Sequence, residues 1–122
     1  MATPGNYVLD IYRGDSYRWQ FRLWEDVAKT IPVDLDNVIA EAEIRDKPSG
    51  TKVTAMVCTV TVPNIIDIHL DAVKSSALTI AKGVWDLQLT YENEDVATVL
   101  VGAVNITADV TESGAEEIAR RR

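Results

Sequence analysis

The chain has one histidine, His69, in the run Asp67-Ile68-His69-Leu70, and one cysteine, Cys58. A histidine joined to a serine or cysteine nucleophile and an orienting carboxylate would make a hydrolytic centre. No Gly-x-Ser-x-Gly elbow is present to supply the nucleophile. His69 lies in an alternating run and reads as a surface or half-buried strand residue. Cys58 lies in a Thr- and Val-rich run and reads as a small core hydrophobe. One thiol can close no intrachain disulfide and build no cysteine metal cage. The 19 acidic residues make chance carboxylate pairs inevitable, so acid–base pairing singles out no position. The expectation is a chain without catalytic residues and without a cofactor.

Three other groupings invite a chemical reading. Asp34-Leu35-Asp36-Asn37 is the best set of oxygen ligands for a calcium ion, but it lacks the glycine and the spaced glutamate of a helix–loop–helix calcium loop. Its plainer reading is a loop whose Asp and Asn side chains bond the backbone, and no metal site is expected. Arg13-Gly14-Asp15 spells a cell-adhesion tripeptide, yet a Gly-Asp turn between two strands accounts for it. Trp19, Trp24, Trp85, Tyr7, Tyr12, Tyr17 and Tyr91 are numerous enough for a sugar-binding platform, but most fall on predicted core faces. No phosphate loop or dinucleotide fingerprint occurs.

The elements that hold these residues follow from hydropathy period. Val84, Asp86, Gln88 and Thr90 alternate with Trp85, Leu87, Leu89 and Tyr91, the mark of a strand with one buried face. Asn93-Glu94-Asp95 is a turn, and Val96–Val101 is a β-branched return arm. Gly102 interrupts it before Ala103–Val110 resumes an extended pattern. Upstream, Tyr7–Tyr12 is a short strand and Arg13–Ser16 a turn. Tyr17–Trp24 is a strand with Tyr17, Trp19, Phe21 and Leu23 facing the core. Trp24 breaks the polar alternation and marks either a strand end or an exposed contact.

Residues 25–37 form a polar connection, and Pro32 excludes a central strand there. Ile39–Arg45 is a strand that ends at the turn Lys47-Pro48-Ser49-Gly50. Thr51–Val62 returns, Pro63-Asn64 stops it, and Ile65–Leu70 is a further strand. Asp71–Lys82 suits one or two helical turns. Residues 1–6 read as an N-terminal arm, 7–111 as the β domain and 112–122 as a C-terminal tail, where Glu116-Glu117 and Arg120–Arg122 suit a short helix dipole.

With 122 residues and 47% apolar content, the chain fits one domain with a real core. Its net charge of −7 opposes sequence-independent binding to nucleic acid. No apolar run approaches a membrane span, and MATPGNY lacks the regions of a signal peptide. Seven to eight short strands with regular turns predict an all-β, antiparallel sandwich.

Several of these stretches carry a resemblance in order. They are Gly14-Asp15 before an aromatic strand, Asp34-Leu35 leading to Ala42-Glu43-Ile44-Arg45 and a Pro-Ser-Gly turn, then Gly83-Val84-Trp85-Asp86-Leu87-Gln88, and finally Gly102 to Thr111. The series resembles the small, immunoglobulin-like β-sandwich domain of tailed-bacteriophage virion proteins. That group includes tail-collar and fibre-attachment proteins and the N-terminal domain of baseplate upper proteins. The resemblance spans about residues 8–111. It implies a structural role rather than catalysis, with other virion proteins of the tail, collar, baseplate or capsid as partners, in a symmetric homo-oligomeric assembly. It implies a virion location after synthesis in the host cytoplasm, without nucleic acid or membrane as partner. Baseplate proteins continue into receptor-facing regions where this chain has only residues 112–122, so an adaptor is expected. The alternatives are a capsid decoration protein on the head or a carbohydrate or host-receptor binding module.

Overall fold

The structure is a computed structural model that describes residues 4–108. The expected C-terminal tail and the first three residues of the arm lie outside the described residues. The chain is all-β with one short helix. Its elements are β1 (Gly5–Asn6), β2 (Leu9–Tyr12), β3 (Tyr17–Arg22), β4 (Ile39–Arg45), β5 (Lys52–Thr61), β6 (Ile65–Leu70), α1 (Ala72–Ser76), β7 (Lys82–Thr90) and β8 (Val96–Thr107).

The strands form one hydrogen-bonded path, β1-β8-β7-β4-β5-β6-β3, with β2 also on β8. β5 makes the path curl. Its first half pairs with β4, through Met56 opposite Ala42, and its second half pairs with β6, through Cys58 opposite Ile68. A strand shared in this way turns the sheet over on itself. β3, at one end, therefore comes to face β7: the rings of Phe21 and Trp85 lie 6.1 Å apart. The core fills the space between the two halves. Leu35, Ile44, Ile66, Leu70, Leu87, Leu89 and Val104 are all fully buried there. Burial of each such side chain is worth about 1.5–3 kcal/mol.

The inward and outward faces agree with the two-residue period. Along β7, Trp85, Leu87 and Leu89 are buried while Val84, Asp86 and Gln88 are half-buried. The Tyr91–Asp95 connection closes with the Tyr91 N–H on the Asp95 carbonyl at 2.9 Å, and Glu94 takes a positive φ of 74°. α1 sits in the stretch expected to carry a helical turn. Asp71 caps it, its Oδ1 accepting from the Lys74 N–H at 2.8 Å.

Three details depart from the sequence reading. First, two of the pairings are parallel: β1 and β2 both run alongside β8 in the same direction, with Leu9 opposite Val104 and Tyr12 opposite Thr107. Alternation sees which face is buried but not the direction of a partner. Second, Gly5 and Asn6, expected in the arm, form β1 against Leu100 and Val101. Third, Gly102 does not interrupt its strand; β8 is continuous from Val96 to Thr107. The glycine serves a close approach of the N-terminal segment.

Candidate functional site

Trp85 is the most heavily tied of the aromatic residues. It is 2% exposed, and its Nε1–H donates to the Tyr7 carbonyl at 2.7 Å. Tyr7 in turn donates its N–H to the Val101 carbonyl at 2.9 Å and packs edge-on against Phe21, with centroids 5.1 Å apart. Three segments distant in sequence meet at this point. The Tyr7 carbonyl crosses directly over Gly102, where an added Cβ would lie 1.9 Å from the carbonyl oxygen. Trp85 is therefore a structural pin for the N-terminal segment. Tyr17 and Trp19 stack at 5.4 Å, and the Tyr17 hydroxyl accepts from the Tyr12 N–H at 2.8 Å. Trp24 follows the end of β3, bridges to Pro32 and is half-buried. The aromatic residues thus pack and anchor; they do not assemble into one platform.

The Arg13-Gly14-Asp15 segment is a tied turn. Gly14 has a φ of 99°, which favours glycine. Its N–H donates to Ser75 Oγ at 2.9 Å, and that hydroxyl lies 3.3 Å from the Tyr12 carbonyl, to which it donates. Ser75 is fully buried in α1, so the short helix ties this turn to the body of the domain. Ser75→Ala should leave the Gly14 N–H without its partner, while the Tyr12 carbonyl keeps the Asp15 N–H at 3.1 Å, and should cost about 1–3 kcal/mol. Urea unfolding checks this: the midpoint should fall with the slope unchanged. An unchanged midpoint would mean that the hydroxyl has no part in holding the turn.

His69 is half-buried on β6, opposite Arg18 of β3 and Val57 of β5. Its Nδ1 lies 3.1 Å from the Tyr17 carbonyl; an acceptor there requires Nδ1 to carry the proton. Cys58 is also half-buried, and burial followed by the nearby Glu41 charge pushes its thiol up to about 11. A thiol held protonated is a poor nucleophile. The Asp34 loop takes its plainer form: Asp34 Oδ1 accepts the Asp36 N–H at 3.0 Å while Leu35 drives into the core. Among the described residues, no group of three His, Cys, Asp or Glu side chains is placed to hold a metal ion.

A feature that motif reading missed lies on the outer face of β4, β7 and β8. Val84, Val101 and Ala103 line a cleft of about 410 Å³, bordered by Glu43, Arg45 and Asp86. The register explains the cluster, since Glu43 stands opposite Asp86 and Arg45 opposite Val84. Arg45 is held at both ends, by Glu43 Oε1 at 2.7 Å and by the Gly50 carbonyl at 2.8 Å. Alternation places Glu43 and Arg45 on one face of β4; only the strand pairing brings Asp86 beside them.

Burial and then the Glu43 charge raise the Asp86 carboxyl above its ordinary value, against the pull of Arg45. A raised native value means that the folded chain holds the proton more readily than the unfolded one. The stabilising contribution is therefore present below the ordinary value of 3.8 and is lost as pH rises through the native value. Asp86→Asn should accordingly raise the melting temperature at pH 7, with the gain closing as pH falls below about 3.8. Melting curves across pH 3–8 measure it. A lower Tm at pH 7 would show that Asp86 is held mainly by Arg45.

Contact surfaces remain. The connection after β3 forms a tight loop: the Glu25 N–H donates to the Ile31 carbonyl at 2.7 Å, and Asp26 Oδ1 accepts the Thr30 and Ile31 N–H groups at 2.9 Å each. These bonds hold the Asp26 carboxyl below its ordinary value, the Thr30 hydroxyl most of all. Val27 projects from the loop fully exposed, and Ile31 is largely exposed.

No protein-family model matches the chain, and no curated protein matches it. Among solved structures, the chain is similar to CopC from Methylosinus trichosporium OB3b, at 12% sequence identity and a TM-score of 0.44, over 86% of this chain and 90% of that one.

Proposed function

We propose that the chain is a non-enzymatic structural protein of a tailed-bacteriophage virion, a β-sandwich adaptor that assembles in multiple copies on the tail, collar or baseplate. The observation that carries this reading is the division of labour in the sequence. The stretches that resemble the virion domain, Ala42–Arg45, Gly83–Gln88 and the run from Gly102, build β4, β7 and β8 and the Trp85 pin. His69 bonds the Tyr17 carbonyl, Asp34 holds its own loop and Trp85 holds the N-terminal segment. What is left for a partner is surface: a strand edge, an apolar loop tip and the cleft beside Asp86. Partners of this kind are other virion proteins, met by shape and edge pairing.

Labelled antibody against the chain, applied to purified particles and viewed by electron microscopy, tests the reading. Regular labelling at the tail, collar or baseplate is the expected result. Labelling spread over the head would assign it to capsid decoration instead. Absence from particles would overturn the structural role.

A further inference from the structure

We propose that the outer edge of β3 is a docking edge for an extended protein segment in which apolar residues alternate with acidic ones. The phase of the β3–β6 ladder sets which backbone groups face outward. The Leu23 N–H donates to the Asn64 carbonyl at 2.9 Å, continuing the register that pairs Arg22 with Ile65. In an antiparallel ladder, bonded and non-bonded pairs alternate. Tyr17, Trp19 and Phe21 therefore bond to β6, and Arg18, Gln20 and Arg22 turn their N–H and C=O groups the other way. Among the described residues no strand pairs with that side of β3.

The core is thin at the same edge. Tyr17, Trp19 and Phe21 face inward yet are only half-buried, whereas Ile66, Ile68 and Leu70 on the adjacent strand are at most 1% exposed. A further strand with apolar inward residues would cover the aromatic rings. The outward face sets the charge. Arg18 and Arg22 are exposed, and neither is in an ion pair among the described residues. They form a basic strip on a chain of net charge −7. Two copies of this edge, paired antiparallel about Gln20, would set Arg18 against Arg22, and like charges directly opposite repel. The strip selects an acidic partner strand instead.

The edge reading refines the assembly reading, and rests on it only in taking the partner to be another protein; the two are tested apart. Amide hydrogen exchange by NMR on the full chain reads the edge directly. In the free protein, Arg18, Gln20 and Arg22 amides should exchange fast while Trp19 and Phe21 are protected. Protection of the first three in the free chain would overturn the proposal, because a terminal segment of the chain or a second copy would already occupy the edge.

The probe is an acetylated peptide of about nine residues alternating valine and glutamate, with a valine–lysine peptide as control. The glutamate peptide should protect those amides and bind about tenfold more tightly than the lysine peptide, with a preference that shrinks as salt rises. Arg18→Glu with Arg22→Glu should reverse the preference. Gln20→Pro removes a donor that points away from β6, so the fold should persist while peptide binding is lost. Saturation with no protection at the edge, no saturable binding, or binding unchanged by Gln20→Pro in a folded protein would each overturn the proposal. Particle labelling does not depend on any of these outcomes.

Discussion

Trp85→Ala should cost about 3–5 kcal/mol of folding stability, the range for removing a large aromatic side chain from a packed core. The ring is 2% exposed and stacks near Phe21, which itself meets Tyr7. Removing it opens a cavity between the two faces of the curled sheet and strands the Tyr7 carbonyl. Trp85→Phe separates these effects. Phenylalanine keeps much of the ring but loses the N–H, so its cost should be about 1–3 kcal/mol. Urea unfolding of the three proteins gives the comparison. A near-neutral Trp85→Ala result would mean that the inward face of β7 is not the core face, and the whole assignment of that hairpin would fall with it.

The core face of β7 was legible because Trp85, Leu87 and Leu89 alternate with polar residues over a long run, and a two-residue period has few other causes. β4 alternates too, though its Ala and Glu also suit a helix and its shortness and following turn decide for a strand, and β6 alternates only weakly. The turn at Lys47–Gly50 was legible from Pro and Gly, and the short helix from its Ser- and Ala-rich context. The parallel placement of β1 and β2 was not legible. It depends on the N-terminal segment finding β8, about ninety residues away, and local patterning carries no record of so distant a partner. Gly102 shows the same limit. A glycine in a strand signals either a break or a close approach, and only the passage of Tyr7 over it decides between them. The Glu43–Arg45–Asp86 cluster was half legible: the two-residue period puts Glu43 and Arg45 on one face, and only register adds Asp86. His69 lies half-buried on β6, Cys58 packs half-buried against the core rather than in it, and Asp34 bonds the Asp36 N–H.

These placements bear on how the chain could act in an assembly. Its two sheet ends are unlike. The β1 and β2 end is short and folded onto β8, and the segment between the two strands is pinned through Trp85. The β3 end keeps its outward backbone groups and carries Arg18 and Arg22. Charged side chains on an edge discourage indiscriminate pairing, while a partner of opposite charge meets less resistance. A charged edge of this kind narrows the range of strands that can pair with it.

The pin depends on the absence of a side chain at Gly102. Gly102→Ala should cost about 2–4 kcal/mol, the sum expected from overpacking and a lost hydrogen bond. The new Cβ would meet the Tyr7 carbonyl oxygen at 1.9 Å, its carbon at 2.7 Å and Trp85 Nε1 at 2.9 Å. Two of those atoms are backbone, so no rotamer change relieves the contact. Either the Tyr7 segment lifts from β8, or β8 moves away from beneath it. Both break the bond from Trp85 to Tyr7 and weaken the one from Tyr7 to Val101. The damage should therefore overlap with that of Trp85→Phe. In a double-mutant cycle the pair should cost less than the sum of the single changes by about 1 kcal/mol or more. Additive costs would show that the glycine and the indole act separately, and that the N-terminal segment is held by β-pairing with β8 alone.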